Sequence, residues 1–211
     1  MDRFVNRIAR LLLRAAAPGR HRHVLALIVA GVVFVVAVIA QAGFVATEQR
    51  AQAPAGLATY ALTGRVVHVA DGDTFTLLSE GRRERIRLAS IDAPETTKGR
   101  ERPGQPMAQV ARQALAGMVA GKFLTLTCFE RDHYGRSVCD VPLARGGTVN
   151  RELVAQGLAW ANRQRHGKYL RDPRMAALEA SARAARRGLW RDASPVPPWV
   201  WRYQCWRHGH C

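Results

Sequence analysis

From Val24 to Ala46 the chain runs for 23 residues without a charge, interrupted only by Gln41. As a helix this stretch would span roughly 35 Å, enough to cross a bilayer, and so uniform a run does not suit a buried core helix. It therefore sets residues 1–23 apart from everything that follows. Those first residues carry Arg3, Arg7, Arg10, Arg14, Arg20 and Arg22 against Asp2, which is +5 of the formal net charge of +16. The flank after the span is mixed (Glu48, Arg50), so the positive-inside rule places 1–23 in the cytoplasm and exports the remainder. Expected localisation is thus the cell membrane, single-pass, with the globular part on the extracytoplasmic side. Ala40-Gln41-Ala42 and Ala51-Gln52-Ala53 are small-residue patterns that a signal peptidase would accept, and cleavage there would make the product secreted. The long basic start and the length of the apolar run favour a retained anchor over 24–46.

Beyond the anchor the chain keeps a net +11, which points to a polyanionic partner, nucleic acid or an anionic surface. A length of 211 residues with 48% hydrophobic content calls for no more than one ordinary domain plus appendages. Residues 47–59 are small, polar and aperiodic, which suits a linker. A domain is expected over 60–192, followed by a Pro/Trp/Cys/His tail over 193–211.

Within the domain, Gly64–Ala70 and Thr74–Leu78 alternate as strands joined through Asp71-Gly72, and Ser79-Glu80-Gly81 turns into Arg85–Leu88. There Ile86 and Leu88 should face a core, leaving Arg87 displayed on the other face. Pro106–Ala120 carries a helical apolar stripe stopped by Gly121. Lys122–Glu130 and Arg136–Leu143 read as strands, Asn150–Ala159 as a short helix. Asp172-Pro173 reads as the start of a further helix that ends at Gly188. The expected class is α+β: five antiparallel strands in the order of an OB-fold barrel, with about three helices.

Three segments carry the chemistry: Asp71-Gly72-Asp73-Thr74, Arg87-Leu-Ala-Ser-Ile-Asp92-Ala-Pro-Glu95 and Asp132-His-Tyr-Gly135-Arg136. They combine carboxylates for a hard cation with two guanidinium groups for a phosphodiester. Each alone is an ordinary turn or strand exit, and only the set is specific. It is not an EF-hand, because the later acidic ligands and closing glutamate are missing. His68, His133 and His166 stand at no metal-ligand spacing and read as solvated or structural. The five tryptophans, Trp160, Trp190, Trp199, Trp201 and Trp206, read as packing residues before base-stacking platforms.

Four cysteines in an exported chain permit disulfides. Cys128 and Cys139 flank a turn symmetrically, which suits either a cross-strand bridge or two small buried thiols. The tail Cys205-Trp-Arg-His208-Gly-His210-Cys211 matches no common zinc framework and suits a disulfide loop or a loose end.

In their order these motifs, together with Val149-Asn150 to Trp160 and Gly188-Leu-Trp190, resemble the staphylococcal nuclease-like (thermonuclease) family over roughly 130 residues, Tyr60 to Trp190. The resemblance implies calcium held by Asp73, Asp92 and the carbonyl of Ala93, with Asp71 just outside. It implies Glu95 as the residue that positions or deprotonates the attacking water, and Arg87 and Arg136 as phosphate-binding groups. The family often has threonine where this chain has Ala93, and Thr96–Arg102 is a basic stretch of its own. The activity implied is calcium-dependent hydrolysis of DNA, and also RNA, with low sequence specificity and 3′-phosphate ends. The chemistry agrees: calcium takes about six to eight oxygen ligands, and arginine offers a permanently charged bidentate fork to a phosphate. Two other readings share the basic character. One is a non-catalytic OB-type module that captures nucleic acid, and the other is an envelope protein meeting anionic lipid.

Overall fold

The computed structural model describes residues 58–211. The expected cytoplasmic segment, the anchor and nearly all of the linker lie outside the described residues. Among the described residues no helix is long and apolar enough to cross a membrane.

Strands β1 (Tyr60–Asp71), β2 (Thr74–Ser79) and β3 (Arg82–Leu88) form a meander. After the two-residue strand β4 (Ile91–Asp92) come helix α1 (Ala108–Val119) and strands β5 (Phe123–Arg131) and β6 (Ser137–Asp140). Helix α2 (Val149–Ala155), the short strand β7 (Trp160–Ala161) and helix α3 (Arg174–Ala184) follow. The barrel closes in the order β1-β2-β3-β6-β5, while β4 and β7 make a separate two-stranded ladder.

One expectation needs correction. The strands are not all antiparallel, because β3 and β6 pair in parallel, Arg87 opposite Val138. The barrel is mixed because α1 and β5 intervene between these strands, so β6 returns from the same end at which β3 began. The boundaries also tighten. Strand β6 stops at Asp140, not at the Leu143 expected, since Pro142 has no N–H to continue the ladder and bridges Thr148 instead. Helix α2 starts at Val149, capped by the Thr148 hydroxyl accepting from the Arg151 N–H, and it ends at Ala155, ahead of Gly157 with φ +69°.

Alternation in the strands builds the core. Val66, Phe75, Leu77, Ile86, Leu88 and Leu126 fill the barrel and are buried. Helix α1 closes it with Ala108, Ala111, Leu115 and Val119, the i, i+3, i+4 spacing of one face. Strand β1 is long enough to serve two neighbours: Tyr60–Arg65 pairs with β5, and Arg65–Asp71 pairs with β2 across two register shifts that bend it. The β2–β3 turn places Glu80 and Gly81 both at positive φ, +48° and +75°, as a two-residue hairpin of matching twist requires. Cys128 and Cys139 are opposite each other on β5 and β6 and are bonded; Cys205 is bonded to Cys211.

Two polar devices set the end of the barrel that matters below. Buried Asn150 accepts from the Val141 N–H, and its Nδ2 lies within hydrogen-bond distance of the Ala89 and Cys139 carbonyls and of Asp140 Oδ1. That one side chain pins the exit of β3 to β6 and α2. Ser90, at φ +67°, accepts at its hydroxyl from the Arg171 and Asp172 N–H groups, and Asp172 Oδ1 in turn accepts the N–H of Arg174, where α3 begins one residue later than the Asp172-Pro173 start expected. Trp160 and Trp190 pack edge-on at 5.4 Å in a second apolar cluster with Ala182 and Leu189.

Candidate active site

Gly72 brings the first two motifs together. A Cβ there would lie 2.8 Å from the Cβ atoms of Ala93 and Ala111, a distance real side chains essentially never show. Only glycine lets the β1–β2 connection press against the segment after β4 and against α1. Asp73 consequently reaches Ala93, whose N–H donates to Oδ2 at 2.7 Å, while the Thr74 hydroxyl donates to Oδ1 at 2.9 Å. Asp92 is fixed from the other side, in register with Trp160 on β7, and is fully buried.

Arg87 lies between these two carboxylates. One nitrogen of its guanidinium pairs with Asp73, and the other donates to Asp92 Oδ1 at 2.6 Å and to the Ile91 carbonyl at 3.3 Å. The alternation argument put Arg87 on the face opposite Ile86 and Leu88, which is correct. It also left the side chain displayed, which is not: the flanking acids cover it until 14% remains exposed. Burial works against its charge, but Asp73 and Asp92 outweigh burial and hold it protonated beyond its ordinary range.

Glu95 follows Pro94 at the start of the basic stretch and is buried. Its Oε2 takes Lys98 Nζ at 2.6 Å, and Lys98 also reaches Asp71 Oδ2 at 3.2 Å. The Glu95 backbone is clamped twice by Gln105, whose Oε1 accepts its N–H at 3.1 Å and whose own N–H donates to its carbonyl at 2.8 Å. Asp71 accepts from the N–H groups of Gly72 and Thr96. Burial first, then the negative charges of Asp73 and Glu95, push its carboxyl up to about 6, with Lys98 opposing. Asp92 moves the opposite way. Burial alone would raise it, but Arg87 and Arg202 outweigh that and hold it below the usual carboxylate range.

Arg136 arrives from the β5–β6 turn. Asp132 organises that turn by accepting from the Tyr134 and Arg136 N–H groups, both at 2.9 Å, and takes Arg136 Nε at 2.7 Å on its other oxygen. The guanidinium also lies 5.3 Å from the Tyr134 ring. A cavity of about 600 Å³ joins the parts; Arg87, Glu95, Lys98, Arg136, Arg202 and Trp206 are among its lining residues. The structure thus brings Asp73, Asp92, Ala93, Glu95 and Arg87 into one contact network and places Arg136 on the same cavity.

Two participants escaped the sequence reading. Lys98 carried a weak signal, three residues after Glu95 in a basic stretch. Arg202 carried none, since it lies in the tail, 107 residues from the Glu95 it touches. The histidines behave as read: His68, His133 and His166 are exposed.

Calcium can be tested against the donor set. Asp71, Asp73, Asp92 and Glu95 offer only hard oxygen, with no histidine or thiolate among them, and burial first, then the charges of Asp73 and Glu95, push Asp71 up. Among the described residues no three His, Cys, Asp or Glu side chains are drawn into a ready ligand cluster. The donor chemistry fits a hard divalent cation.

Residues 85–192 match the family described as staphylococcal nuclease homologue. An uncharacterized endonuclease of Escherichia coli O157:H7 is 43% identical over 141 residues, which is 67% of this chain and 85% of that protein. A micrococcal nuclease of Shigella flexneri is 39% identical over 147 residues, 66% of this chain and 79% of its own length. An uncharacterized endonuclease of Haemophilus influenzae is 36% identical over 143 residues, 67% of this chain and 74% of its own.

Proposed function

Because this chain belongs to the staphylococcal nuclease family, and is an endonuclease of that type, we propose that it hydrolyses DNA and RNA with little sequence preference and uses calcium to do so. Calcium is what members of the family typically use. The observation that carries the reading is Arg87 held between Asp73 and Asp92, on the cavity that Glu95 and Arg136 also line.

The residues divide the work as their chemistry dictates. Arg87 and Arg136 bind the non-bridging oxygens of the scissile phosphate and stabilise the charge that grows on them in the transition state. Both forks are preorganised, by Asp73 and Asp92 for Arg87 and by Asp132 for Arg136, so little reorganisation is required when substrate arrives. Glu95 orients the attacking water and accepts its proton, its backbone fixed by Pro94 and Gln105. Asp73, Asp92 and the Ala93 carbonyl would hold calcium, with Asp71 close by, and the bound ion would add positive charge next to the phosphate. The expected products carry 3′-phosphate ends.

We read the mixed barrel as an OB-fold, the domain as residues 60–192, and residues 24–46 as an anchor that leaves the enzyme on the extracytoplasmic side. Purified full-length protein should degrade single-stranded DNA in calcium and stop when a chelator removes the ion. Binding without loss of strand length in calcium would instead favour a capture module.

A further inference from the structure

The family match stops at residue 192, yet the chain continues across the cavity. Pro198–Trp201 forms one helical turn that widens into a π-helical turn, Arg202–Arg207, closed by the Cys205–Cys211 bond. Three contacts fasten this tail to the loop that follows Glu95. The indole N–H groups of Trp201 and Trp206 both donate to the Pro103 carbonyl, at 3.0 and 2.9 Å, and Gln105 Nε2 donates to the Val196 carbonyl at 2.8 Å. Lys98 and Arg102 lie over the Trp206 ring. Gln105 is the same residue that clamps the Glu95 backbone, so tail and base share one support.

What the tail delivers is a guanidinium. Arg202 forks onto Asp92, Nη2 to Oδ2 at 2.8 Å and Nη1 to Oδ1 at 3.2 Å, and its Nη1 also reaches Glu95 Oε1 at 2.6 Å. Asp92 and Glu95 repel one another, and a planar fork across both is what holds like charges in a fixed geometry. Burial works against its charge, but Asp92 and Glu95 outweigh burial and keep Arg202 protonated. We infer that Arg202 is a positioning residue of this nuclease site: the C-terminal tail is the third wall of the active site and sets the Glu95 and Asp92 carboxylates for hydrolysis. The inference rests on the nuclease reading above. It gives the tail a catalytic purpose beyond closing off the domain.

The test measures kcat and KM on single-stranded DNA in calcium, with full-length parent, Arg202→Ala and Arg202→Lys, each also followed by thermal unfolding. Loosening a base by about an ångström costs on the order of 100-fold. Arg202→Ala should therefore lower kcat about 10- to 100-fold with KM changed less than about threefold, and Arg202→Lys should recover part of the loss because it restores a charge without the fork. A Cys205→Ser/Cys211→Ser pair, which frees the tail, should lower kcat in the same direction, and Arg202→Ala should add little in that background. Should Arg202→Ala not fold, Arg202→Gln carries the test with the same outcomes. Unchanged or increased kcat in a folded Arg202 variant overturns the inference, an increase meaning that the tail is an inhibitory plug. A folded parent that does not cut DNA in calcium overturns the nuclease reading and this inference with it, whereas an active parent indifferent to Arg202 overturns the inference alone.

Discussion

Two clusters among the described residues join a buried carboxylate to more than one cation, one around Glu179 and one around Asp92, and only the second resembles a site. On α3, Glu179 is 1% exposed. Its Oε1 accepts from Arg163 and from Arg183 Nε, and its Oε2 accepts from the Ala161 N–H at 2.7 Å. Arg183 in turn covers the Trp190 ring at 3.8 Å. One acid meets two cations and a backbone donor, and Glu179 does not line the cavity; the group ties α3 to β7. Around Asp92 the balance is reversed. Four acids, Asp71, Asp73, Asp92 and Glu95, share three cations, Arg87, Lys98 and Arg202, and Asp71 is pushed up to about 6. An ion pair by itself therefore marks nothing. Crowded negative charge with one member, Glu95, on a cavity marks a candidate site.

The contrast can be broken most sharply at Glu95. Glu95→Gln keeps the shape but removes the base and turns one of the two oxygens that accept from Lys98 and Arg202 into a donor, so kcat should fall by about 100-fold or more while oligonucleotide affinity changes little. Equal rates for variant and parent in a single-turnover assay would remove Glu95 from that role. Arg87→Lys should come next. It keeps a charge between Asp73 and Asp92 but loses the fork, and a loss of roughly 10- to 100-fold in kcat/KM is expected. At the other cluster the same kind of change should act on stability instead. Glu179→Gln takes the negative partner away from two arginines, and denaturant unfolding should show a loss of about 2 kcal/mol with activity per folded molecule unchanged. A drop in kcat there would erase the distinction between the two regions.

The smallest effect concerns an acid outside both clusters, Asp140, which Asn150 ties to the end of β3. Burial foremost, and then the charge of Asp172, push its carboxyl from 3.8 up to about 6. The folded chain thus holds this proton more tightly than the unfolded one. Its contribution to stability is complete below about pH 4 and is lost as the pH rises through about 6. After allowance for solvent screening the loss is on the order of 1 kcal/mol. Asp140→Asn should lack that loss, so its unfolding free energy relative to the parent should rise between pH 4 and pH 7. A flat difference across that range would show that Asp140 titrates normally.

Much of this architecture was legible in the chain because its signals are local. Alternation in Thr74–Leu78 and Arg85–Leu88, the stripe from Met107 to Val119 and the Asp172-Pro173 start all act over a few residues, where the physics is steric and hydrophobic periodicity. The acidic and basic motifs were readable for the same reason, each being a short run of unusual chemistry. The parallel pairing of β3 with β6 was not, since alternation reports which face is apolar and not which neighbour a strand will take or in which direction. Nor was the burial of Arg87, which depends on acids that Gly72 and the β4–β7 ladder draw in around it.

By itself, then, the sequence determined the barrel strands, the three longer helices and the identity of the acids, because nearest-neighbour spacing is enough to specify them, but neither the short β4–β7 ladder nor the helical turns of the tail. Tertiary structure alone decided how the charges are shared. Coulomb energy depends on distance in space, and only barrel closure and the docking of the tail on Pro103 bring Arg202 to Asp92 and Glu95.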